Sequence, residues 1–177
     1  MIDRLAKYNR FKAQMKSGDC LLWQSRSIIG WLIRKFTSAK VNHAGLVIRP
    51  PEYGHFKDRR FTVEALEQGI QLRLLSERLR EFKGRVWWYP LRDEYEECRD
   101  KIAEWALEQE GTPYDYHSLF ANIAGRVSAD TKRFFCSEFC FMGWKEAGIP
   151  VFRCIKQAPR PGDIPKFRIF KTPILIF

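Results

Sequence analysis

Residues 133–144 read Arg133-Phe134-Phe135-Cys136-Ser137-Glu138-Phe139-Cys140-Phe141-Met142-Gly143-Trp144. Cys136, Phe139, Cys140, Gly143, Trp144 and, one turn on, Ala147 recur at helical spacing, which predicts a helix with one apolar face. Gly148 and Pro150 stop it. Cys136 falls in the first turn, where the positive end of the helix dipole favours a thiolate. Taken alone, a cysteine on the packing side of a helix is more often an inert core residue. A nucleophile there would need a base, an orienting group and an oxyanion site from elsewhere in the chain.

The chain has 177 residues, 45% hydrophobic and 15% aromatic, which suits one domain over 1–177 with its own core. No apolar run approaches the ~20 residues needed to span a bilayer. The N-terminus is charged and no apolar run follows it, so no secretory signal is expected and the cytoplasm is the default compartment. Delivery by a phage or a specialised export system is the alternative. The five cysteines (Cys20, Cys98, Cys136, Cys140, Cys154) are odd in number, spread out and without a CxxC, which points to reduced thiols. No cofactor and no metal are expected. A zinc site from Cys136, Cys140 and His43 is the weaker alternative, because no second close ligand pair exists. Thirty-one Lys and Arg against 21 Asp and Glu give a net charge of +10, which attracts polyanions. The basic residues are scattered apart from Lys57, Arg59 and Arg60. Nucleic-acid binding is therefore not expected as the main function, while an anionic wall polymer or a membrane surface stays open as a partner.

Away from the cysteine helix, residues 1–16 read as an amphipathic helical addition, with Leu5, Tyr8, Phe11 and Met15 on one side. Ser17-Gly18-Asp19 makes a turn before a short buried strand, Cys20 to Trp23. Residues 28–36 are apolar nearly all round and read as a short buried helix. Val41 to Ile48, apolar on both faces, reads as a central strand that ends at Pro50 and Pro51. Strands follow at Phe61 to Leu66, Ile70 to Leu74 and Arg85 to Tyr89, with a short helix capped by Ser76 before the last of them. Short connections predict an antiparallel meander. Asp93 to Glu110 reads as one helix, with Asp93 and Glu96 as a capping box and Tyr95, Cys98, Ile102, Trp105 and Ala106 as its buried stripe. A short helix is expected around 118–124, and an apolar tail closes the chain. Strands followed by helices predict an α+β fold with an antiparallel sheet packed against helices.

Two polar residues stand out within the predicted strands. His43 lies on a mostly apolar strand, where a lone histidine is more often structural. Glu64 sits between Val63 and Ala65, where a buried carboxylate must be paired or hydrogen-bonded; a half-exposed strand would leave it in water. Together with Cys136 they supply every part of a thiol triad. His43 can move the proton, Glu64 can fix the tautomer and stabilise the imidazolium, and the N–H groups opening the cysteine helix can hold an oxyanion. His55, in a basic loop, and His117 are poorer bases by context.

The ordered set Ser17-Gly18-Asp19-Cys20, Asn42-His43-Ala44-Gly45, Val63-Glu64-Ala65, Gly111-Thr112-Pro113-Tyr114 and Phe135-Cys136-Ser137-Glu138 resembles the circularly permuted papain-like amidases, YiiX-like relatives of the NlpC cell-wall peptidases. The resemblance runs over residues 17–165. It implies a papain-like, circularly permuted NlpC-type α+β core. By the resemblance Cys136 matches the nucleophile, His43 the base, Glu64 the third member, and Tyr114 a tyrosine facing the cysteine that helps hold the oxyanion. Asp19 is expected to fix its turn. The expected function is a cysteine-dependent amide hydrolase acting through a thioester on a peptidoglycan-type peptide or another small amide. The first alternative is lipid acyl hydrolysis or transfer of the lecithin–retinol-acyltransferase-like kind, for which Trp31, Trp87 and Trp88 would suit an acyl chain. The second is a non-catalytic basic binding module.

Overall fold

The computed structural model describes residues 5–25, 40–51, 54–66, 68–112, 135–151 and 159–177. The helices predicted over 28–36 and 118–124 lie outside them, as do Trp31, Tyr114, His117 and Cys154.

The short apolar runs form strands β1 (Cys20–Ser25), β2 (His43–Ile48), β3 (Phe61–Leu66), β4 (Gly69–Leu74), β5 (Gly84–Tyr89) and β6 (Ile174–Leu175). They make one antiparallel sheet in the order β4-β3-β2-β1-β5-β6. The predicted meander holds from β1 to β4 and then fails. β5 pairs with β1, on the far side of the sheet from β4, after the chain has passed through helix α2 (Leu75–Glu81). Ser76 does not cap α2. The helix starts one residue earlier, and the Leu75 N–H donates to Arg60 O at 2.9 Å, leaving the turn without a side-chain cap.

Alternation along the strands builds two apolar faces. Cys20, Leu22, Ala44, Leu46, Ile48, Val63 and Ala65 belong to one core, shared with helices α3 (Arg99–Glu108) and α4 (Phe135–Glu146). Leu21, Trp23, Val47, Val86 and Trp88 belong to the other, shared with α1 (Ala6–Phe11) and α2. A sheet apolar on both faces explains why β1 and β2 lack polar alternation. α4 lies across β2 and β3. Gly143 permits this approach, since a Cβ there would come within 3.1 Å of both Leu46 Cδ1 and Trp105 Cε3. Beside it Trp144 is fully buried and donates Nε1–H to Gly18 O at 2.9 Å. Burying a large apolar side chain of this kind contributes about 1.5–3 kcal/mol.

Three expectations need correction. The N-terminal helix is shorter than 1–16: α1 ends at Phe11 and a 3₁₀ turn, Lys12–Gln14, follows. Arg60, read as part of a small basic group with Lys57 and Arg59, is 2% exposed. Its guanidinium donates to the carbonyls of Met15, Ala13, Lys57 and Arg59, so it ties the N-terminal segment to β3. Residues 93–110 are also not one helix. Asp93–Cys98 is a 3₁₀ segment, with Tyr95 outside helical geometry, and α3 begins at Arg99. No capping box forms, because Asp93 pairs with Lys171 at 2.6 Å while Glu96 accepts from Lys16 at 2.7 Å and Arg99 at 2.8 Å. Ile102 and Ala106 are buried as the stripe predicts. Among the described residues no helix is long and apolar enough to cross a membrane.

Asp19 holds the start of β1. Its buried carboxylate accepts from Lys16 N, Trp88 Nε1, Leu91 N and Arg99 Nη1, all within 2.8–2.9 Å. Asp19→Ala removes the buried one of the two carboxylates that pair with Arg99 and orphans three further donors. The expected loss is about 3–5 kcal/mol, read as a lower urea midpoint; an unchanged midpoint would refute this role.

Candidate active site

β2 and β3 are neighbours, and they bring His43 and Glu64 together. His43 is the first residue of β2, and Glu64 lies near the middle of β3. Gly45 makes room for the carboxylate: a Cβ there would fall 2.9 Å from Glu64 Cγ and 2.8 Å from Thr62 Oγ1. Glu64 is fully buried, and its Oε2 accepts from His43 Nε2 at 2.6 Å. Arg78, from α2, grips the same carboxylate with Nε on Oε1 at 3.1 Å and Nη2 on Oε2 at 3.3 Å. The Arg78 guanidinium lies 4.8 Å from the ring centre of Trp23 and 5.4 Å from that of Phe82. Trp23 is also the register partner of His43, with ring centroids 6.4 Å apart.

Cys136 arrives on α4 as its second residue, buried at 5% exposure. Cys136 acts on the His43 imidazole by charge and hydrogen bonding, both raising its pKa. With Nε2 bonded to Glu64, the ring nitrogen left for the thiol is Nδ1. Burial opposes a charged imidazole, but Cys136 and then Glu64 outweigh it and push His43 up to about 10. Burial likewise opposes an ionised Glu64, and His43 with Arg78 outweighs it, holding that carboxyl below its usual range. The cluster therefore favours charged forms around neutral pH: a carboxylate between an imidazolium and a guanidinium.

The other candidates divide clearly. Cys140, one turn along α4, is fully buried, and burial followed by contact with Cys20 raises its thiol well above the usual value. It is a core residue, as expected. Burial pushes Glu138 up to about 7. Asp19 is taken up by the β1 turn. Tyr114, His117 and the side chain of His55 lie outside the described residues. Sequence reasoning missed Arg78. The available signal was its place at helical spacing among Leu75, Leu79 and Phe82, an arginine on the apolar side of a short helix.

An antiparallel sheet crossed by a helix that begins at a cysteine, with histidine and glutamate on neighbouring strands, is a papain-like α+β arrangement. The family model described as permuted papain-like amidase enzyme, YaeF/YiiX, C92 family, matches residues 14–156, and the chain belongs to this family of cysteine-type amidases. Among solved structures it is similar to the metalloprotein YiiX from Escherichia coli O157:H7. The TM-score is 0.55 at 20% identity, over 76% of this chain and 67% of that one, a likeness of fold. No curated protein sequence matches the chain. YiiX is described as a metalloprotein, but among the described residues here no three His, Cys, Asp or Glu side chains gather as a ligand set. The zinc set weighed from Cys136, Cys140 and His43 does not form one, and the raised Cys140 thiol makes a poor ligand. The described residues do not fit a metal, and no chemistry is routed through one.

Proposed function

We propose that the chain is a thiol-dependent amide hydrolase with Cys136 as nucleophile, His43 as proton carrier and Glu64 as the group that orients and stabilises the imidazolium. The observation that carries this reading is the His43–Glu64 hydrogen bond on neighbouring strands, together with the influence of Cys136 that raises His43 and favours a charged imidazole. The Cys136 thiolate adds to the substrate carbonyl carbon, and the C=O electron pair moves onto oxygen. The N–H groups that open α4 are the candidate donors to this oxyanion, and the family resemblance adds Tyr114 as a further one. As the tetrahedral adduct collapses, the C–N bond breaks and His43 protonates the leaving amine. A thioester remains. Water then attacks it, neutral His43 takes the water proton, and the C–S bond breaks to give the carboxylic acid. Imidazolium and thiolate are restored when the proton settles on His43.

The substrate class that fits the family is a small amide or peptide, and we take a peptidoglycan-type peptide as the first to test. Near neutral pH, Cys136 is expected to react with iodoacetamide faster than any other thiol of the chain. Equal rates, or protection of Cys136 in the folded protein, would refute a nucleophile. Incubation with muropeptides and, separately, with phospholipids, followed by intact mass, then identifies the acyl donor. A peptide-derived acyl adduct on Cys136 supports the amidase. An adduct from the lipid alone moves the substrate class to lipid acyl groups.

A further inference from the structure

We propose that Arg78 is a positioning residue of this site: by gripping Glu64 it keeps the carboxylate ionised and turned toward His43, and so sets how far down in pH the thiol stays reactive. The proposal rests on the reading of Cys136 as nucleophile. Arg78 is placed to touch Glu64 and not the reacting atoms, so its action passes through the carboxylate.

The geometry requires a second cation. Glu64 is fully buried, and a carboxylate withdrawn from water takes up a proton unless charge or hydrogen bonds hold it ionised. His43 bonds to Oε2, leaving Oε1 open to a proton. Arg78 Nε covers Oε1, and Nη2 returns to Oε2, so both oxygens are occupied by donors that cannot lose their charge. The guanidinium is itself held in place. Its helix is anchored by fully buried Leu75 and Leu79, and its plane rests against Trp23 and Phe82. Trp23 in turn lies across from His43 on β1, so a single indole braces both cations that clasp the carboxylate.

Among the described residues the neighbouring groups are few. His43 faces Glu64 from β2, and Arg78 from α2. α4 contributes Cys136, the protonated Cys140 and, two residues past Cys136, Glu138. The register partner on β4 is Gln71, which carries no charge. Removing Arg78 should let Glu64 protonate at higher pH. Neutral Glu64 no longer favours imidazolium, and the loss of a nearby positive charge disfavours thiolate as well. Both effects move the acid limb of Cys136 reactivity upward.

The test is the pH dependence of Cys136 alkylation by iodoacetamide, followed by mass, in the parent chain, Arg78→Gln and Arg78→Lys. In Arg78→Gln the acid limb is expected to rise by about 1–3 pH units, the range over which a close opposite charge shifts a carboxyl. Arg78→Lys keeps the charge and loses the fork, so its limb should return most of the way to the parent position. The same comparison on a Glu138→Gln background removes the other carboxyl that titrates near Cys136. In Arg78→Gln a uniform drop in rate with the limb unmoved overturns the proposal; should that variant not fold, Arg78→Lys decides, and a lysine limb shifted by the full amount expected for loss of charge overturns it. Failure of the nucleophile reading is distinct, because it appears in the parent chain as a Cys136 no faster than the other thiols.

Discussion

Cys136→Ala is expected to fold as the parent chain does and to lose amide hydrolysis by on the order of 10⁶-fold, the scale seen when a catalytic nucleophile is deleted. The substitution removes one sulfur from a side chain that is already small and 5% exposed, at the start of a helix whose packing rests on Phe139, Cys140 and Trp144. The expected change in stability is therefore about 1 kcal/mol. Neither buried thiol near it can take over. Cys140 is fully buried and its thiol is held protonated, and Cys20 is fully buried beneath the same helix. Turnover of a small amide substrate, measured against iodoacetamide-treated parent protein, sets the background. Activity above that background in a folded variant would remove Cys136 from the chemistry. The same variant should also lower the apparent pKa of His43, because Cys136 is the largest influence holding that imidazole charged. Titration of the ring by nuclear magnetic resonance reads this independently of any substrate.

The sequence carried the parts of this arrangement that depend on local pattern. The cysteine helix was legible because Cys136, Phe139, Cys140 and Trp144 repeat on one face, and strands β1 to β4 were legible because the first three are short, mostly apolar runs and β4 alternates cleanly. Pairing was legible only where the connection was short. β5 crosses to the far side of β1, and nothing local in Gly84 to Tyr89 records that choice. The failed capping box has the same origin. Asp93 and Glu96 have the right spacing, but Lys171 and Lys16, distant in sequence, take their oxygens. At the site, His43, Glu64 and Cys136 were individually ordinary and became a candidate triad only when taken together. Arg60 and Arg78 show what pattern alone misses. A long cationic side chain reads as solvated, whereas here each is drawn inward by acceptors that only the fold supplies: four main-chain carbonyls for Arg60 and one carboxylate for Arg78.

Glu64→Gln should lower turnover by on the order of 10⁴-fold, the effect of an amide replacing the carboxylate of a hydrolytic triad. Volume is conserved, so the change is electrostatic. The introduced amide still accepts one hydrogen bond from His43 but no longer stabilises its charge. Arg78 is left largely buried, with side-chain exposure of 15% and its counter-charge gone. Breaking such a pair from one side costs about 3–5 kcal/mol. The pH dependence gives a sharper readout. In the parent chain the folded His43 value lies near 10 against an ordinary 6.5, so its contribution to stability is complete below pH 6.5 and is lost as pH rises through 10. Folded Glu64 is lowered from 4.5, so its contribution is present above pH 4.5 and is lost as pH falls through the folded value. Parent stability from this cluster should thus be greatest between about pH 4.5 and 6.5 and decline toward pH 10. Glu64→Gln abolishes the acid-side loss and shallows the alkaline decline, leaving only the part that Cys136 sustains. Urea midpoints collected from pH 4 to pH 10 test this. A variant that keeps both the parental slope above pH 7 and the parental turnover would show that Glu64 neither charges His43 nor serves the reaction.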